Sequence, residues 1–144
     1  MHNRYPARLF FLPLFFLPVL IFAQQLAIPL PEHPRPDFER PNWENLNGVW
    51  QFEFDSLNRG ITGGWGEGKS YFSQTITVPF PWGSPLSGVA DRADIGWYRR
   101  QISVDELWDG KRVFLTIGAS DWETTAWLDG QLLGTHRGGY TPFS

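Results

Sequence analysis

The sequence predicts an all-β fold, an antiparallel sandwich or barrel. Three observations carry that expectation. Short apolar–polar alternations recur along the chain, Gly, Pro and Asp-Gly turn signals separate them, and no stretch sustains a helical period.

The elements follow in order. Residues 1–23 read as a secretory signal peptide: Arg4 and Arg8 precede an uncharged apolar run over residues 9–22, and the small Ala23 marks a cleavage point. That run is 14 residues long and contains Pro13 and Pro18, whereas a spanning helix needs about 20 apolar residues. Export to the periplasm or beyond is therefore expected, with no membrane association after cleavage. Residues 24–42 hold Pro29, Pro31, Pro34, Pro36 and Pro41. Proline lacks the amide proton and forbids helix or central strand, so this is an extended arm. Residues 43–144 form the folded domain.

Within it, "GVWQFEF" places Trp50, Phe52 and Phe54 on one face and Gln51 and Glu53 on the other, the period of a half-buried strand. "NRGITGGWGEGKS" is a glycine-dense loop, "SQTITVP" a short strand ended by Pro79, and residues 79–93 a long loop. "WYRRQISV" alternates as a strand over residues 97–104, and "KRVFLTIG" as another with Val113, Leu115 and Ile117 aligned. "WETTAWLDGQLLG" is a hairpin around Asp129-Gly130, a pair that accepts positive φ at both centres of a two-residue turn.

Charge and composition narrow the function classes. Cleavage at residue 23 leaves 10 basic against 15 acidic side chains, a net charge of −5. With no basic cluster either, nucleic acid is excluded as a partner. There is no cysteine, so no disulfide supports the exported domain. Eight tryptophans and twelve phenylalanines are present, all of the tryptophans and seven of the phenylalanines after residue 23, and they supply the core instead. Only His33 and His136 lie after the signal segment. No metal-ligand spacing exists, no serine triad can be assembled, and no cofactor is expected. The glycines of "RGITGGWGEG" precede no helix and make no phosphate cradle.

Residues with chemical potential are few. Asp121 and Glu123 stand two apart beside a strand, about 6.6 Å by its rise, a spacing that glycosidase carboxylates tolerate. Nothing nearby separates their acidities, which acid–base division of labour requires, and an exposed strand edge looks the same. Arg99 and Arg100 fall on opposite faces of an aromatic strand, so one points inward and requires a carboxylate or carbonyl partner; a structural ion pair is the preferred reading. Trp65, Trp82, Trp97 and Trp122 offer rings for stacking on a pyranose, although covering the ends of a sandwich explains them equally. His136, Arg137, Tyr140, Asp121 and Trp122 are the substrate-binding candidates, and no residue is assigned a catalytic role.

Taken in order, "RPNWENLNGVWQFEFD", "VPFPWGSPLSG", "IGWYRRQISV" and "GKRVFLTIGASDWETTAWLDGQLLGTHRGGYTPF" resemble the N-terminal sugar-binding domain of glycoside hydrolase family 2, which includes β-galactosidases, β-glucuronidases and β-mannosidases. The resemblance covers residues 40–144. It implies a jelly-roll β-sandwich, galactose-binding-domain-like, continuing into further strands, then an immunoglobulin-like domain and a TIM barrel that carries two retaining glutamates. On that reading the chain is a C-terminally truncated piece, inactive alone, whose partners are a β-glycoside or polysaccharide and those downstream domains. The β-galactosidase branch sends an Asn from the loop before the "WYRR"-like strand and an acid from the loop after the last hairpin toward its active site. Here "SGVADRADIG" has no Asn, and residues 136–140 have no acid. "HRGGYTPF" resembles the glucuronidase pattern more closely. Two other readings stay open: a stand-alone carbohydrate-binding module, and a structural domain attached to another hydrolase.

Overall fold

A computed structural model describes residues 27–33, 35 and 41–144. The expected signal peptide and part of the Pro-rich arm, including Pro34 and Pro36, lie outside the described residues. Among the described residues no helix is long and apolar enough to cross a membrane.

The fold is all-β and antiparallel, as the sequence predicts. β1 (Gly48–Phe54) is the centre of a three-stranded sheet, flanked by β2 (Gln74–Val78) and β3 (Gly96–Arg99) in the order β2-β1-β3. Gly48 opposes Val78 on one side, and Phe52 opposes Tyr98 on the other. Alternation along β1 works as expected on its apolar side. Phe52 is fully buried against Ile76 and Val89, with Trp50, Phe54, Val78 and Trp82 packed around them. Tyr98 meets Phe52 edge-on at 5.0 Å between centroids, a favoured aromatic geometry. The long loop over residues 79–93 contributes Val89 and a short 3-10 turn, Pro85–Ser87, capped by the Ser84 hydroxyl.

The opposite side of the sheet is covered as well, which alternation alone does not reveal. Trp97 lies there against Trp65 and Trp127. The glycine-dense segment makes the close approach feasible: a Cβ on Gly60 would sit 2.4 Å from Trp97, and one on Gly66 2.6 Å from Trp127. Asp55, 4% exposed, pins this segment. Its carboxylate accepts the amide protons of Arg59 and Gly60, both at 2.7 Å, and the Trp97 indole N–H at 3.2 Å. Burial pushes the Asp55 acidity toward higher pKa. The two amides, the indole and the Arg59 charge together outweigh that and hold it below the usual carboxylate range.

Two strand expectations are corrected. β3 ends at Arg99 instead of running to Val104, because Arg100 turns away to serve carbonyls. "KRVFLTIG" forms no strand among the described residues; its one ladder contact is the bridge between Ile117 and Phe143. Aligned apolar side chains need a neighbouring backbone to satisfy amides before they count as a strand. The arginine expectation is also corrected. Arg99 donates to the carbonyls of Ser70 (2.7 Å) and Trp65 (2.9 Å), with its guanidinium 4.0 Å from the Phe72 ring centre. Arg100 donates to the carbonyls of Leu46 (2.5 Å) and Asn47 (2.9 Å). Both half-buried arginines are satisfied by carbonyls and rings, so no carboxylate is required.

The hairpin is as expected. β4 (Glu123–Leu128) pairs with β5 (Gln131–Arg137), with Asp129 and Gly130 at φ 48° and 79°. A bulge falls between Ala126 and Trp127, where Trp127 opposes Leu132 but Ala126 opposes Gly134. Leu133 is the extra residue.

Candidate functional site

Four of the five candidate residues come together where β4 begins and β5 ends. Asp121 and Trp122 precede β4; His136 and Arg137 close β5; Tyr140 follows two glycines later. Antiparallel pairing sets Glu123 opposite Arg137 and Thr124 opposite His136. The Gly138 amide donates to the Trp122 carbonyl at 2.7 Å, carrying the pairing one step past the strand. Asp121 lies against Gly139, where a Cβ would come within 2.8 Å of Asp121 Oδ1.

The side chains divide by role. Arg137 Nε donates to Glu123 Oε2 at 2.5 Å, and its guanidinium lies over the Trp122 ring, 5.8 Å from the centre, within reach of a cation–π contact. Trp122 still leaves 62% of its surface in solvent. His136 stacks on Phe143 with centroids 4.3 Å apart and 15° between planes, and its Nε2 is 3.3 Å from the Thr141 hydroxyl. That occupies both the ring face and a ring nitrogen, leaving His136 a packing residue. Tyr140 is 98% exposed and stands apart from the others.

Chemically, this corner offers an exposed indole, a guanidinium–carboxylate pair and the Asp121 carboxylate. It can contact a polar ligand from the surface. The hydroxyl that lies beside a base here is Thr141, 3.3 Å from His136 Nε2, and the Glu123 carboxylate is engaged by Arg137. Among the described residues, no group of three or more His, Cys, Asp or Glu is placed to hold a metal. An open hollow lies elsewhere, around the 3-10 turn Glu106–Trp108, lined by Val104, Asp105, Asp109 and Lys111 among others; none of the five candidates reaches it. Trp65, Trp82 and Trp97 are committed to packing, which leaves Trp122 as the one of the four loop tryptophans placed for stacking. Sequence reasoning considered Glu123 only as a carboxylate next to Asp121. Its partnership with Arg137 depends on the bulge, for which Gly134 at φ 158° is the local signal.

No family model matches the chain. Similar proteins do exist. The chain is 31% identical to a β-glucuronidase from Paenibacillus borealis over 101 residues, covering 69% of this chain and 17% of that protein. It is 28% identical to a β-galactosidase from Thermoanaerobacter pseudethanolicus over 99 residues, covering 69% and 12%. Among solved structures, a Lactobacillus rhamnosus β-glucuronidase matches with a TM-score of 0.58 at 30% identity, over 69% of this chain and 17% of that one. A Ruminococcus gnavus β-glucuronidase in complex with uronic deoxynojirimycin shares the fold, with a TM-score of 0.62 at 24% identity over 69% and 18%. The chain thus spans less than a fifth of the length of these relatives.

Proposed function

We propose, from the premise that this chain is a relative of the family 2 glycoside hydrolases, the β-glucuronidases and β-galactosidases, that it is the N-terminal sugar-contacting and scaffolding domain of an exported, retaining β-glycosidase. The observation that carries the proposal is the 31% identity over 101 residues with a β-glucuronidase. The corner geometry supports a contact role over a catalytic one. Glu123 is paired with Arg137, and His136 is stacked on Phe143, so both serve to hold the corner together. Trp122 and Tyr140 present rings to solvent, the kind of surface on which a pyranose stacks. Hydrolysis then belongs to carboxylates on an adjoining barrel, and the domain buttresses that barrel through its sandwich.

The test is direct. The purified chain is incubated with nitrophenyl β-D-glucuronide and nitrophenyl β-D-galactoside, and no turnover above background is expected. Tryptophan fluorescence is then followed against a panel of uronic-acid-containing and neutral β-glycans, with and without Trp122→Ala. Quenching lost in the variant supports sugar contact at this corner. Turnover by the chain would sink the scaffolding reading, and a silent panel would sink the contact reading.

A further inference from the structure

We infer that residues 45–47 are a clasp that straps the N-terminal arm onto the domain, and that Arg100 holds the clasp in shape. The arm cannot join a sheet easily, because Pro29 and Pro31 have no amide proton to donate to a ladder. Its carbonyls remain available as acceptors, and two side-chain amides take them. Asn45 Nδ2 donates to the Leu30 carbonyl at 3.0 Å, and Asn47 Nδ2 to the Pro29 carbonyl at 3.0 Å. The two asparagines are themselves locked together, since the Asn47 amide donates to Asn45 Oδ1 at 2.8 Å.

The clasp has no ladder pairing of its own, and its backbone is fixed from below. Arg100 Nη1 donates to the carbonyls of Leu46 and Asn47, and the Trp50 indole N–H donates to Leu46 at 2.8 Å. Arg100 therefore acts on the arm through Asn47, as a positioning residue. A further arm contact supports the strap: His33 meets Trp43 edge-on at 4.6 Å. Because the asparagines read only backbone carbonyls, arm side chains other than His33 matter little, and the asparagines and the proline-framed backbone matter most.

The chain contains no cysteine, so Ile28→Cys in the expressed chain accepts a single nitroxide at a half-exposed arm position. A broad, slow-motion spectrum is expected with the clasp intact. Asn45→Ala with Asn47→Ala should convert it to a fast-motion spectrum, the correlation time falling several-fold while the urea midpoint moves little. Arg100→Lys should give an intermediate mobility. A fast spectrum with the clasp intact, or an unchanged one in the double variant, overturns the strap. An unchanged spectrum in a folded Arg100→Lys chain overturns the positioning role. Should that variant fail to fold, the asparagine pair still decides the strap.

Discussion

The indole of Trp97 in β3 stacks on that of Trp127 in β4, with centroids 5.1 Å apart and 30° between planes. This pair joins the three-stranded sheet to the hairpin. Truncating half of it, Trp127→Ala, should cost about 3 kcal/mol, the low end for a large aromatic because the ring is half-buried. Urea unfolding followed by far-ultraviolet circular dichroism reads the loss, and an unchanged midpoint would show that the two sheets do not depend on this stack.

Gly60→Ala tests the same region from the backbone side. The new methyl would fall 2.4 Å from Trp97 Cε2, and neither the ring nor the turn can yield without disturbing Asp55. Overpacking of this kind costs about 1–3 kcal/mol. Thermal denaturation should show a lower midpoint; a stability equal to the parent would mean that the indole relocates freely.

Asp55 links the fold to acid. Its folded pKa is lowered, so the unfolded chain takes up the proton first as pH falls. Its contribution is therefore complete above the unfolded value, about 3.9, and is lost as pH drops through the lower folded value. Asp55→Asn replaces one of the two acceptor oxygens by an amide nitrogen, which then opposes one or two of the three donors, and should destabilise by about 2–3 kcal/mol at neutral pH. The gap between parent and variant in urea should stay flat above pH 5 and close in stronger acid. A gap that widens in acid would contradict the assignment.

Tyr98 behaves in the opposite direction. Partial burial against Phe52 and Trp82, with 38% of the residue still in solvent, raises its hydroxyl toward about 12, from about 10 in the unfolded chain. Between those values only the unfolded chain ionises at this position, so stability falls as pH rises from 10 toward 12. Tyr98→Phe removes that slope, visible as a weaker loss of midpoint in alkaline urea titrations. Equal slopes in parent and variant would assign the alkaline loss to another group.

Arg137→Gln should change stability by less than about 1 kcal/mol, as expected for an exposed ion pair. The fluorescence of Trp122 should nevertheless respond, because the guanidinium leaves its ring. Differential quenching by acrylamide, with Trp122→Phe as reference, measures this. No change would place Arg137 away from the indole in solution.

Much of this architecture is legible in the chain. The alternation of "GVWQFEF" became β1 with Phe52 at the centre of the core, and Asp129-Gly130 became the hairpin turn. Sequence order also grouped Asp121 and Trp122 with His136 and Arg137, since a hairpin returns its ends to each other. Alternation misled at "KRVFLTIG" and beyond Arg99, because a period of two describes side chains and says nothing about which backbone supplies the hydrogen bonds.

The corner shows where local information stops. Periodicity and turn chemistry are properties of neighbouring residues, so they foretell an all-β chain and a hairpin at Asp129-Gly130. A two-residue turn with regular pairing would set Glu123 opposite His136. The bulge at Leu133 shifts the far end by one residue, so that Glu123 faces Arg137 and His136 faces Thr124. A one-residue shift exchanges the faces of a strand. It puts a guanidinium on Glu123 and Trp122 and leaves His136 to stack on Phe143. That choice follows from packing with residues distant in the chain, as does the pairing of Trp97 with Trp127, and only the folded molecule settles either.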